Sequence, residues 1–270
     1  MSTLEFSDLK VVYGHGRQAV AAVNEVSFIV TAGEIVGVVG ESGSGKSTVA
    51  RAAVGLVEAT SGRILYDGVD VVRARGAARR RRRGIQMVFQ DPNACLDPRM
   101  TVGASIDEAI DAAIARGVLS RRTSEQRRER IRELLELVHL DPALAGAYPS
   151  SLSGGQRQRV ALIRAVAAEP GFLIADEITS ALDVSVQGSV LNALVDLQRR
   201  LGFSVLFISH NVPIVRRMCP QVVVMHGGSI VEAGPSSEVL TNPAQPYTRE
   251  LLDAVPRVGQ PIFATASAGG

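Results

Sequence analysis

Residues 40–47 read Gly-Glu-Ser-Gly-Ser-Gly-Lys-Ser, a full match to GxxxxGK[ST]. The setting of this stretch constrains the fold more than any other feature. A β-branched run, Ile-Val-Gly-Val-Val over 35–39, predicts a buried strand before it. Helical periodicity over 47–57 predicts a helix after it. Glycines let the backbone wrap tightly and aim N–H groups at phosphate oxygens, and the following helix adds its positive end. Gly40, Glu41, Ser42, Gly43, Ser44, Gly45, Lys46, Ser47 and Thr48 are thus candidates for holding a nucleotide's phosphates. Lys46 would neutralise the β/γ-phosphate region and Ser47 would place a hydroxyl on Mg²⁺. The basic residues are otherwise nearly all arginine, with Lys10 the only other lysine, so Lys46 stands out. The loop implies an NTPase or kinase without saying which.

The remaining pattern alternates. Strands are expected at 4–12 and 20–30 around a hairpin at 14–16, then at 62–66, 84–89, 172–175, 204–208 and 222–225. Helices are expected at 152–168, 184–201 and 212–218, and the Arg/Glu-rich stretch 102–140 reads as a helical insert. This order predicts an α/β protein. With 46% hydrophobic and only 4% aromatic residues, the core must be aliphatic. No apolar run approaches the 18 residues needed to span a bilayer, and the N-terminus lacks signal-peptide character. Cys95 and Cys219 make neither a disulfide framework nor a four-ligand metal site. Lys+Arg of 29 against Asp+Glu of 27 gives no argument for a nucleic acid partner.

Two further segments carry chemistry. The apolar run 172–175 ends in Asp176 and Glu177. There Asp176 is placed to hold Mg²⁺ through water, and Glu177 to polarise an attacking water. Leu152-Ser153-Gly154-Gly155-Gln156 begins a helix with Ser153 as a good N-cap and two glycines that permit close approach. It reads as a second phosphate-facing helix start. Residues 40–47 already hold one nucleotide's phosphates, so this second end best serves a nucleotide bound by another subunit.

The LSGGQ stretch, followed by 157–159, closely resembles the signature of the ABC (ATP-binding cassette) ATPases, and the resemblance covers roughly residues 4–255. It implies a P-loop NTPase fold of the ABC type, with an N-terminal antiparallel β subdomain and an α-helical subdomain. One domain over 1–255 would comprise a core of about 1–90 and 165–240 and a helical subdomain of about 91–164, followed by a mobile tail at 256–270. Tyr13 corresponds to the aromatic that stacks on adenine, and Gln90 to the glutamine that senses Mg²⁺ and the transporter. Ser180-Ala181-Leu182-Asp183 corresponds to the loop that crosses the dimer interface, and His210 to the switch histidine near the γ-phosphate. Lys46, Glu177 and His210 are the implied catalytic set, and Ser47, Gln90 and Asp176 the implied metal set. One departure is Ile178, where the family usually has proline after the catalytic glutamate; proline would fix φ there, and hydrolysis is expected to persist without it.

Residues 89–103 and 242–252 resemble the dipeptide and oligopeptide importer branch, shared with nickel, glutathione and phosphonate-related systems. The resemblance implies ATP and Mg²⁺, a second ATPase subunit (the same or a homologous chain), two transmembrane permeases and an extracytoplasmic solute-binding protein. It also implies a place on the cytoplasmic face of the membrane. A soluble, non-transport ABC ATPase is the alternative. The run 79–83, five arginines, reads either as a lipid- or partner-contacting patch or as a solvated face.

Overall fold

The structure is a computed structural model that describes residues 2–14 and 16–254. The expected mobile tail at 256–270 lies outside the described residues. In chain order the elements are β1 (Leu4–Tyr13), β2 (Val20–Val30), β3 (Ile35–Val39), α1 (Lys46–Val54), β4 (Ser61–Tyr66) and β5 (Val69–Asp70). There follow α2 (Gly76–Arg82), β6 (Ile85–Val88), α3 (Val102–Ala115), α4 (Ser124–Leu137), α5 (Gly154–Ala167), β7 (Phe172–Asp176) and α6 (Val184–Leu201). The last are β8 (Ser204–Ile208), α7 (Val212–Met218), β9 (Gln221–His226), β10 (Ser229–Pro235), α8 (Ser236–Val239) and α9 (Pro246–Asp253).

Two sheets result. β2-β1-β4-β5 form an antiparallel sheet, and β10-β9-β3-β8-β7-β6 form a larger one that is parallel except at the β10 edge. The strands β3, β7 and β8 are buried along their whole length, which explains why they read as continuous apolar runs rather than alternating ones. Their alternate residues still separate by face. Ile35, Val39, Leu173, Ala175, Val205 and Phe207 join a core built with helices α3 to α7. Val36, Val38, Phe172, Ile174, Leu206 and Ile208 join a second core with α1 and the antiparallel sheet. Within that second layer Phe6 stacks on Phe28 with centroids 4.5 Å apart.

Several boundaries differ from expectation for local reasons. The helix after the phosphate loop stops at Val54, not 57, because Gly55 adopts φ 76 and its N–H caps Ala52 and Arg51 carbonyls. The helical insert breaks after Gly117, at φ 76, and restarts at Thr123 with a reciprocal capping box to Gln126. The arginine run is mostly helix: α2 places Arg82 over Gly55 and on the Val71 carbonyl at 3.3 Å, while Arg81 lies 3.8 Å from Asp67. It is therefore a docked element with a partly solvated face. α2, β5, β10, α8 and α9 are additional to the elements expected from sequence. No helix among the described residues is long and apolar enough to cross a membrane. Both thiols are free, and burial pushes that of Cys219 up to about 12.

The sheet leaves no room beside β3 for a larger residue at its centre. A Cβ on Gly37 would lie 2.4 Å from Val215 Cγ1 and 3.1 Å from Cys219 Sγ, both from the α7 side. Overpacking of this kind costs about 1–3 kcal/mol. Gly37→Ala is expected to lower the urea-unfolding midpoint, and Val215→Ala is expected to cost less in the Gly37→Ala background than in the wild type. Equal costs in the two backgrounds would show that α7 does not press on this strand.

Candidate functional site

The carboxyl ends of adjacent strands β3, β8, β7 and β6 lie side by side, the edge where α/β sheets bind ligands. Residues 40–48 leave β3, His210 follows β8, Asp176 ends β7 and Gln90 follows β6. Sequence separations of up to 170 residues thus collapse onto one edge. Ser209 N–H donates to the Val38 carbonyl at 3.2 Å, and Glu177 N–H donates to the Ile208 carbonyl at 2.9 Å. These bonds fix the three chain exits relative to one another.

The phosphate loop has its shape dictated by its neighbours. Gly40 has φ 151, and a Cβ there would lie 2.1 Å from the Met225 carbonyl oxygen. Gly45 has φ 101, and its Cβ would lie 2.3 Å from the Ala22 carbonyl oxygen. Both positions exclude side chains on conformational and steric grounds. Lys46 is buried, and its ammonium donates to the Gly40 carbonyl at 2.8 Å, the Glu41 carbonyl at 2.7 Å and Ser44 Oγ at 3.1 Å. Burial draws its pKa down from 10.5, opposed by the carboxylates of Glu177, Asp176 and Glu41. Thr48 N–H closes the first turn of α1 on the Gly45 carbonyl. Ser42 and Gly43 are exposed at the loop's tip.

Ser47 Oγ donates to Asp176 Oδ1 at 2.9 Å, joining the loop to the end of β7. Burial raises the Asp176 pKa, with Glu177 adding to it and the Ser47 bond and the Arg51 and Lys46 charges opposing. Among the described residues no cluster of three or more His, Cys, Asp or Glu side chains could hold a metal. Two hard oxygens in hydrogen-bond contact nonetheless suit Mg²⁺, which takes few protein ligands and completes its shell with phosphate and water oxygens. Gln90 is exposed on the adjoining strand end.

Glu177 is held in the left-handed region at φ 50, a conformation that costs energy for a non-glycine residue. Its carbonyl accepts from Ser180 N–H at 3.1 Å and from Ser180 Oγ at 3.0 Å. Ser180, read from sequence only as part of an interface loop, thus also braces the turn that aims Glu177. His210 Nδ1 lies 3.4 Å from Glu177 Oε2. Ile178 is buried in the helix-side core, so it anchors the turn by packing.

The second glycine site packs elsewhere. Ser153 Oγ accepts from Gln156 N–H at 3.3 Å, and Gln156 Oε1 accepts from Ser153 N–H at 2.8 Å, a full capping box. Leu152 is buried beneath it. A Cβ on Gly154 would meet Leu182 Cδ2 at 3.3 Å, and one on Gly155 would meet Val186 Cγ1 at 2.2 Å. Residues 152–156 therefore lie against 180–186, with Ala181 and Asp183 exposed beside them, and not against the loop at 40–48. The same helix reaches the Gln90 segment: Gln158, fully buried, donates to the Phe89 carbonyl at 3.4 Å, and Arg157 donates to Asn93 Oδ1 at 3.2 Å. No local pattern at 157–158 signals this linking role, since Phe89 and Asn93 lie more than 60 residues away. Tyr13 is 44% exposed at the end of β1, paired with Val20 two residues from the Ala22 that abuts Gly45.

The electrostatics of Asp176 give a test. A carboxyl whose folded pKa is raised binds protons more tightly folded than unfolded, so its charge costs stability as pH rises past the ordinary 3.8. Asp176→Asn is expected to raise the thermal midpoint at neutral pH while lowering ATP turnover. The gain is expected to vanish as pH falls through the raised value towards 3.8. A midpoint gain that does not change with pH would exclude this charge as its source.

The model of the ABC transporter family matches residues 23–180, and that of the oligopeptide/dipeptide transporter C-terminal region matches 231–268. A putative peptide import ATP-binding protein of Brucella ovis is 46% identical over 235 residues, covering 87% of this chain and 72% of its own length. One from Brucella abortus is 47% identical over 244 residues, covering 90% and 71%. Among solved structures, a dimeric ATP-binding cassette in a post-hydrolysis state bound to ADP and phosphate superposes with a TM-score of 0.74. It is 27% identical and covers 86% of this chain and 98% of its own. A Clostridium perfringens cassette that is part of the cbiONQ ABC transporter complex gives 0.76 at 28% identity, covering 88% and 90%. With the phosphate loop, acidic strand end and capped LSGGQ helix in place, the chain belongs to the ABC transporter family as one of its ATP-hydrolysing cassettes.

Proposed function

We propose that this cassette powers the import of di- or oligopeptides through partner permeases. The observation that carries the reading is the match of residues 231–268 to the oligopeptide/dipeptide transporter C-terminal region. Relatives at 46–47% identity, named for peptide import, support it. The partners are a second cassette, the same chain or a homologue, two membrane-spanning permeases and an extracytoplasmic solute-binding protein. The cassette would sit on the cytoplasmic face of the membrane, held there by the permeases.

In this reading residues 40–48 hold the phosphates of ATP and Tyr13 stacks on its adenine. Ser47 and Asp176, with Gln90 adjoining, would hold Mg²⁺, which would supply positive charge against the phosphates. Residues 152–156 of a second cassette cover the same nucleotide, and residues 180–183 line the contact between the two. Glu177 orients a water for attack on the γ-phosphorus and takes its proton as the bond to the bridging oxygen of ADP breaks. Lys46 and His210 offset the charge on the γ-phosphoryl oxygens. The bonds from Arg157 and Gln158 to the segment around Gln90 offer a route from the covering helix to the permease-facing surface.

Two measurements test this. In the assembled transporter, Glu177→Gln is expected to cut ATP turnover about 100-fold or more while leaving ATP binding intact; near-normal turnover would remove Glu177 from its role. In proteoliposomes, a peptide-loaded binding protein is expected to stimulate ATP hydrolysis. Stimulation by nickel- or glutathione-loaded binding protein, with none from peptide, would overturn the assignment of solute.

A further inference from the structure

The hydroxyl of Tyr247, on α9, accepts a hydrogen bond from the backbone N–H of Glu41 at 3.1 Å. The two residues are 206 apart in sequence, and Glu41 is the second residue of the phosphate loop. The carbonyl of Glu41 is one of the three groups that hold the Lys46 ammonium. Tyr247 therefore grips, by its N–H, the Gly40–Glu41 peptide unit, whose carbonyl accepts from the Lys46 ammonium at 2.8 Å.

The tyrosine is itself firmly placed. Its ring lies 4.0 Å, centroid to centroid, from that of His226 at the end of β9, directly after the Met225 carbonyl that abuts Gly40. The ring also packs on the edge of the helix-side core. Glu232 of β10 accepts from the N–H groups of Ala244 and Gln245 at 2.8 and 3.2 Å, fixing the start of α9. Arg249 folds back onto the carbonyls of Pro243 and Ala244, and Thr248 is fully buried. A phenylalanine would satisfy every ring contact; the hydroxyl is explained by the Glu41 amide. Burial pushes the phenol upward from 10.0. The bond also crosses between the stretch matched by the ABC transporter model and the stretch matched by the C-terminal-region model.

We propose that Tyr247 is a positioning residue for the phosphate loop, through which the C-terminal segment sets the affinity for ATP. A loop whose outer peptide is already pinned loses less freedom when phosphate binds. Linkage then requires the reverse effect: nucleotide binding must tighten α9. The proposal rests on residues 40–48 binding ATP, which Lys46→Ala tests separately: loss of AMP-PNP binding in that variant secures the reading before Tyr247 is judged.

The experiment uses the full chain with AMP-PNP as probe, in Tyr247→Phe and Tyr247→Leu. Tyr247→Phe is expected to weaken AMP-PNP binding about fivefold, as for one lost neutral hydrogen bond, and in the assembled transporter to raise KM for ATP more than it lowers kcat. In the wild type, AMP-PNP is expected to slow amide hydrogen exchange over 246–253, and in Tyr247→Phe this slowing is expected to shrink. Wild-type affinity in Tyr247→Phe with undiminished slowing would overturn the proposal. So would a loss confined to Tyr247→Leu, which would assign the effect to ring packing.

Discussion

The site depends on the parallel ladder that joins β3, β8 and β7. Three buried strands run side by side, so everything leaving their carboxyl ends leaves at one edge. That ladder is why a lysine after one strand, a histidine after the next and two carboxylates ending the third can share a few ångströms of space. The cross-bonds from Ser209 to Val38 and from Glu177 to Ile208 extend the ladder by one step past the strands, and chemistry begins where they stop. The apolar composition of the strands is thus a positional requirement of the site as much as a source of stability.

Charge is placed there at a cost that packing must offset. Lys46 and Asp176 are both buried, and burial drives each towards its neutral form. For Lys46 the carboxylates of Glu177, Asp176 and Glu41 oppose that drive, and for Asp176 the Ser47 bond and the Arg51 and Lys46 charges do; Lys46 also has three oxygen acceptors. Glu177 adds backbone strain, borne by the Ser180 bonds and by the buried Ile178 side chain. Proline at 178 would fix φ in the same turn; in this chain the buried Ile178 side chain anchors it by packing instead.

The sequence made the phosphate loop, the acidic strand end and the buried strands readable because each is a local pattern with a local cause. Helix ends were readable where a cap is spelled out, as at Ser153 and Gln156, and misplaced where a glycine acts by its dihedral, as at Gly55. The arginine run reads from sequence as a contact patch or a solvated face, and four of its five members are exposed; composition does not reveal that Arg82 docks over Gly55 and on the Val71 carbonyl. The strut from Tyr247 to Glu41 was beyond sequence reasoning, since 206 residues separate its ends. A signal did exist for α9 itself, because Pro246 at its first position is a helix start.

The glycines at 154 and 155 show why a motif's residue types underdetermine its role. From sequence alone both permit close approach at a phosphate-facing helix start. Gly155 is already required by Val186, whose Cγ1 would lie 2.2 Å from any Cβ, and Gly154 sits against Leu182. Packing of α5 on the start of α6 would demand a small residue at 155 with no ligand at all. What packing does not demand is the polar helix start: Ser153 and Gln156 cap one another at the exposed surface of the segment, and leucine at 152 is buried to fix it. The Gln156 amide of that first turn is taken by Ser153 Oγ, which leaves the amides of Gly154 and Gly155 as the motif's candidates for an anion, and the glycines let the helix lie flat against 180–186.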